Sequence, residues 1–186
     1  PFHWTDLDIF QGATRTPEFL AKNPNGRIPT LRLDDGTYLA ESNAILWYLA
    51  EGSSFVPDTR LGRAQVLQWM FFEQYSHEPY IAVARFWMVF APKEQLRQKE
   101  HLIPEWHAKG NAALSVMEGL LKKHDWFVGN AYSLADIALY AAKLAGRGVA
   151  REYDPSMEHD LRTAQRVAAD LAGAAALQLR DGAVKG

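Results

Sequence analysis

Cysteine is absent from all 186 residues. That excludes disulfides, thiolate metal sites and a cysteine nucleophile within the chain, and it suits a reducing compartment such as the cytoplasm. A charge excess of one sign is lacking too. Lys and Arg number 20 against 22 Asp and Glu, a formal net charge of −2. No basic surplus exists to grip a polyphosphate backbone, so nucleic acid is not expected as a partner. Long apolar runs are also missing. The longest, PYIAVARFWMVFAP from Pro79 to Pro92, carries Arg85 in its middle. It falls short of the ~20 apolar residues that a spanning helix needs, so it reads as a core helix and no membrane contact is expected. No Walker loop, G-x-G-x-x-G or G-x-S-x-G occurs. His77, His101 and His107 lack the i, i+4 spacing of a helical metal pair, so no metal site is expected.

What is present is a globular balance: 48% hydrophobic and 23% charged residues, enough chain for one ordinary domain or two small ones. The first fifty residues alternate strand and helix signals. Phe2 to Ile9 is rich in aromatic and β-favouring residues and predicts a strand. Pro17 suits a first helical turn, and Asn23-Pro24-Asn25-Gly26 ends the short helix that follows. Thr30 to Leu33 and Thr37 to Ala40 predict a hairpin around Asp34-Asp35-Gly36. Glu41-Ser42-Asn43 offers capping side chains for a helix with Ile45, Tyr48 and Leu49 on one apolar face.

Gly52-Ser53-Ser54 and Pro57-Asp58 mark a linker. Beyond it, a long helix is predicted from Leu61 to about Phe90, with Val66, Leu67, Met70, Phe71, Gln74 and Tyr75 at helical spacing and a kink at Pro79. Pro104 opens another helix, reaching Lys123. Ser133 and Asp136 have the spacing of a capping box, Ser133 accepting from the Asp136 amide and Asp136 from the Ser133 amide. This pair is read as structural. The domain plan is therefore 1–51, a linker 52–60, a helical domain 61–145, and a tail 146–186. Residues 141–186 contain 12 Ala and a single aromatic, Tyr153, so the tail is expected to pack poorly.

Three pieces at fixed spacing carry a resemblance. N-P-x-G-x-I-P-x-L, D-G and E-S-x-A-I-x-x-Y-L, within Phe19 to Glu51, resemble the glutathione-binding half of a glutathione transferase. WFVGNAYSLADIALY, Trp126 to Tyr140, is similar to the start of a capped helix in that family's C-terminal domain. The resemblance implies an α+β, mostly α architecture: a thioredoxin-like N-terminal domain, here lacking its first strand and helix, followed by an all-helical C-terminal domain. It implies glutathione as co-substrate, a hydrophobic electrophile as second substrate, a cytoplasmic detoxification role and a homodimer. It also implies that the Tyr, Ser, Cys or Asn which activates the thiol precedes Phe2, so no catalytic residue is assigned in this chain. The tail after Tyr140 departs from the family's usual ending.

The chemistry of the motif stands beside the resemblance. A tripeptide can bind as an added strand where a backbone N–H and C=O are left free. Ile28 can offer both if the Ile28–Pro29 bond is cis; Pro29 can equally be just the first residue of a strand. A helix start at Ser42 favours a carboxylate, and Glu41 can pair with the ligand amine, although ordinary N-capping explains the same residues. Arg27 and the loop Gly12 to Thr16 are candidates for the glycyl carboxylate. Tyr75, Tyr80 and Arg85 are candidates for the edge of a second-substrate pocket, against the alternative of plain core. Two other functions fit the same motifs: a non-catalytic transferase-like interaction module, and a glutathione-dependent peroxidase or disulfide reductase.

Overall fold

The structure is a computed structural model, and it describes residue 3 and residues 5–139. The expectations placed on residues 140–186 lie outside the described residues. The chain divides into two compact units at Glu51 and Gly52.

In the first unit, α1 (Pro17–Lys22) starts where Thr16 accepts the Phe19 amide at 3.2 Å, with Pro17 in the first turn, where its missing N–H costs nothing. β1 (Thr30–Arg32) and β2 (Tyr38–Ala40) pair antiparallel, Leu31 opposite Leu39. The turn between them closes because the Asp35 carboxylate accepts the Thr37 amide at 2.8 Å, which also holds that carboxyl below its ordinary pKa. Gly36 supplies the positive φ of +87° that the turn needs. α2 (Ser42–Leu49) packs against β2 and buries Ile45, with Phe19 and Ala50 also in this unit's core.

Two expectations change here. Residues 3 and 5–9 form no strand. Instead the Asp8 carboxylate accepts the amides of Phe10 and Gln11 at 2.9 and 3.2 Å. Side-chain bonds of this kind turn the chain and compete with ladder pairing. Tyr48 is exposed rather than on the buried face of α2, where Ile45 is the buried residue.

In the second unit, helical conformation runs without a break from residue 60 to residue 90. α3 (Arg60–Phe72) is capped by Thr59, whose hydroxyl accepts the Gly62 amide at 3.0 Å. The helix then widens into a π-helical stretch, Glu73–Ala82, passes through α4 (Val83–Arg85), and is π-helical again over Phe86–Phe90. Pro79 lies inside the first π stretch. Proline removes a donor and its ring crowds the backbone carbonyl four residues earlier, and a wider turn relieves that crowding. The expected kink is thus a change of helical pitch.

α5 (Lys93–Arg97) and α6 (Ile103–Leu121) follow, and residues 134–139 are helical. The buried stripe of the long helix runs through Val66, Met70, Glu73, His77, Ile81 and Ala84. Phe71 and Tyr75, expected on the apolar face, are exposed. α6 faces the stripe with Trp106, Gly110, Ala113 and Met117 buried. A Cβ on Gly110 would stand 3.0 Å from Ile81 Cγ1, so glycine sets how closely these helices approach. Leu134 and Leu139 complete this core. No helix of the described residues is long and apolar enough to cross a membrane.

Candidate functional site

The site is built on the loop between α1 and β1. Asn23, nearly fully buried, organises it. Its amide closes α1 on the Phe19 carbonyl at 2.9 Å, and its side-chain nitrogen donates to the Arg27 carbonyl at 2.7 Å and to Thr30 Oγ1 at 3.2 Å. Its side-chain oxygen accepts the Asn25 amide at 3.1 Å, and its carbonyl accepts the Gly26 amide at 2.9 Å. From its spacing alone Asn23 reads as a turn former. The further signal is that an Asn followed by Pro-x-Gly has donors and acceptors enough to tie both ends of such a loop.

Gly26 belongs to the same packing. It has φ +63°, and a Cβ there would stand 2.5 Å from Arg15 Nη1 and 2.9 Å from the Thr14 carbonyl oxygen. Only glycine meets both demands without moving Arg15.

Held this way, Arg27 and Ile28 project outward. The Ile28–Pro29 peptide is cis. Ile28 is 51% exposed, and among the described residues neither its N–H nor its C=O has a hydrogen-bond partner. Pro29 leads directly into β1, whose first residue Thr30 pairs opposite Ala40 at the end of β2. The segment before Pro29 therefore stands beside a hairpin without being a strand of it. The Arg27 guanidinium is exposed, with no partner among the described residues.

Glu41 and Ser42 follow β2 directly. Glu41 has φ 69° and ψ 118°, the one non-glycine residue with positive φ among those described. Backbone held in such a region costs on the order of 1–3 kcal/mol, and its surroundings must enforce it. Its carbonyl accepts the Ile45 amide at 2.9 Å and so opens α2. The capping role expected of the Glu41 side chain is not made: it forms no cap hydrogen bond to this helix. The Glu41 carboxylate points elsewhere, to the Asn25 side-chain amide at 3.3 Å. Neither the hydroxyl nor the N–H of Ser42 has a partner among the described residues. A helix start with a free amide and a free hydroxyl is a place for an anion.

The remaining candidates lie in the second unit. Tyr75 is 84% exposed. Tyr80 lies under the Lys109 ammonium, 4.9 Å from the ring centroid, and the Arg85 guanidinium lies 4.7 Å from the Phe90 ring. No hydrogen bond or ring contact joins any two of these three. Among the described residues no group of His, Asp and Glu is arranged to hold a metal ion. Ser133 and Asp136 are buried and bonded to each other, with the Ser133 hydroxyl donating to the carboxylate rather than accepting from the Asp136 amide.

A family model described as glutathione S-transferase, N-terminal domain, matches residues 1–51, and one described as glutathione S-transferase, C-terminal domain, matches residues 69–166. The chain belongs to the glutathione S-transferase family. Its fold is the family's: a thioredoxin-like N-terminal unit, represented by a two-stranded sheet with α1 and α2, and a helical C-terminal unit. The family match continues past Tyr140, where the motif-level resemblance ends. A solved glutathione S-transferase from Pseudomonas fluorescens is 51% identical, with a TM-score of 0.72 over 90% of this chain and 82% of that one. A solved glutathione transferase from Burkholderia graminis, holding two glutathione molecules per subunit, is 30% identical, with a TM-score of 0.68 over 80% of this chain and 64% of that one. Glutathione S-transferase F10 of Arabidopsis thaliana is 36% identical over 143 residues, 74% of this chain and 66% of that protein. The chain thus spans just under two thirds of that curated relative.

Proposed function

We propose that this glutathione S-transferase chain binds glutathione in the first unit and that the whole protein conjugates its sulfur to hydrophobic electrophiles. The observation that carries the reading is the free backbone of exposed Ile28, two residues before Thr30, together with the unpartnered amide and hydroxyl of Ser42, two residues after the Ala40 that pairs with Thr30. The cysteinyl backbone of glutathione lies along Ile28, giving and receiving one hydrogen bond as an added strand does. The γ-glutamyl carboxylate sits at the amide and hydroxyl of Ser42, favoured by the helix dipole. The Glu41 carboxylate pairs with the γ-glutamyl amine, and Arg27 faces the glycyl carboxylate. The glutathione-bearing relative supports this choice of ligand.

The reaction is nucleophilic substitution. The thiol loses its proton to solvent, the thiolate attacks an electrophilic carbon, a C–S bond forms and the leaving group departs. Tyr75, Tyr80 and Arg85 are the proposed edge of the second-substrate pocket, with Tyr75 left open to solvent to receive an apolar ligand. A cytoplasmic, homodimeric enzyme of detoxification is part of the same proposal.

Retention on immobilised glutathione, with a parallel assay of the full-length protein on an aryl halide and on a hydroperoxide, tests it. Retention that is lost in Ser42→Ala, with turnover of the aryl halide, is the expected result. Retention without turnover of either substrate points to an interaction module. Turnover of the hydroperoxide alone points to a peroxidase. Absence of retention overturns the reading.

A further inference from the structure

Asn25 directly precedes the Gly26-Arg27-Ile28 segment and bonds to Glu41 in the other segment proposed to hold glutathione. Its side-chain nitrogen donates to Glu41 Oε1 at 3.3 Å, across sixteen positions of sequence. Its own backbone is tied down on both sides. The Asn25 amide donates to Asn23 Oδ1 at 3.1 Å, and its carbonyl accepts from Arg15 Nη1 at 3.2 Å. Arg15 in turn lies against Gly26, where any side chain would displace it. The result is a chain of contacts from Arg15 through Asn25 to the Glu41 carboxylate.

Glu41 needs such a restraint. Its backbone has positive φ, so its side chain leaves the main chain in a direction that ordinary helix-start packing does not fix. It makes no cap bond of its own helix. An exposed Glu side chain is free to sample many rotamers, and each one it samples away from the ligand lowers affinity for an amine. A donor whose own backbone is fixed at two points narrows that range. The Asn25 amide occupies one carboxylate oxygen and leaves the other for the ligand.

Resting on the glutathione reading above, we propose that Asn25 is a positioning residue. It aims the Glu41 carboxylate at the γ-glutamyl amine and so sets selectivity for ligands with a free amine. It touches no reacting atom.

The test compares glutathione with N-acetylglutathione, which lacks the cationic amine, by titration calorimetry on the full chain. The wild type is expected to prefer glutathione. In Asn25→Ala the dissociation constant for glutathione is expected to rise about 3- to 10-fold while that for N-acetylglutathione stays the same. In a Glu41→Gln background, Asn25→Ala is expected to change neither. A role in loop stability alone weakens both ligands equally, and that result overturns the proposal, as does an unchanged glutathione affinity. Circular dichroism melts of Asn25→Ala separate a misfolded loop from a misdirected carboxylate. A wild type that binds both ligands equally sinks the role given to Asn25 and leaves the glutathione site standing. A wild type that binds neither overturns the site itself.

Discussion

The Asp136 carboxylate accepts both the amide and the hydroxyl of Ser133, at 2.9 and 2.7 Å, and its other oxygen accepts the Phe127 amide at 3.0 Å. One buried side chain thus opens the helix at residue 134 and also fastens the preceding Trp126-Phe127-Val128 segment to it. A cap alone is worth about 0.5–2 kcal/mol. With the Phe127 amide left unpaired as well, Asp136→Ala is expected to cost about 2–4 kcal/mol. Urea denaturation measures this, and a loss under about 1 kcal/mol contradicts it.

His77 is fully buried, and neither ring nitrogen has a hydrogen-bond partner among the described residues. Burial pushes its pKa down from 6.5 to about 4. The unfolded chain therefore takes up the proton first as pH falls below about 6.5, and stability is lost from there down to about pH 4. The loss attributable to this group is about 3 kcal/mol over that range. His77→Leu, of similar size and with nothing to protonate, is expected to flatten the slope between pH 6.5 and 4. Denaturation midpoints of wild type and variant across that range check this. Parallel curves contradict it.

The first unit's fold was largely legible. Proline, glycine and Asp-Asp-Gly place its turns by backbone chemistry, and the alternation around Leu31 and Leu39 matches the hairpin found. The motif around Ile28, Pro29, Glu41 and Ser42 was legible because its pieces keep fixed spacing. What escaped was partnership. Helical spacing points to Phe71, Gln74 and Tyr75 and not to position 77, which is buried as a histidine with no hydrogen-bond partner among the described residues. Likewise Asn23 and Asn25 look like turn residues until the groups they bond are known. The strand expected before Ile9 failed because Asp8 has a nearer use for its carboxylate. Phe71 and Tyr75 obey helical spacing and are still exposed, since hydrophobic character shows which residues can be buried and not which are.

Glu41 joins strain to function. With φ 69°, it carries a cost that glycine avoids. Glu41→Gly is expected to leave stability unchanged or raise it by up to about 1 kcal/mol while weakening glutathione binding. Thermal melts with and without glutathione measure both. A variant that is less stable without ligand contradicts the assignment of strain.

The most direct measurement is an amide-resolved NMR titration of the chain with glutathione. The Ile28 and Ser42 amides are expected to shift together and saturably, with Ser42→Ala weakening the response of both. Glutathione that leaves the Ile28 amide unmoved, or that shifts only residues of the second unit, contradicts the account.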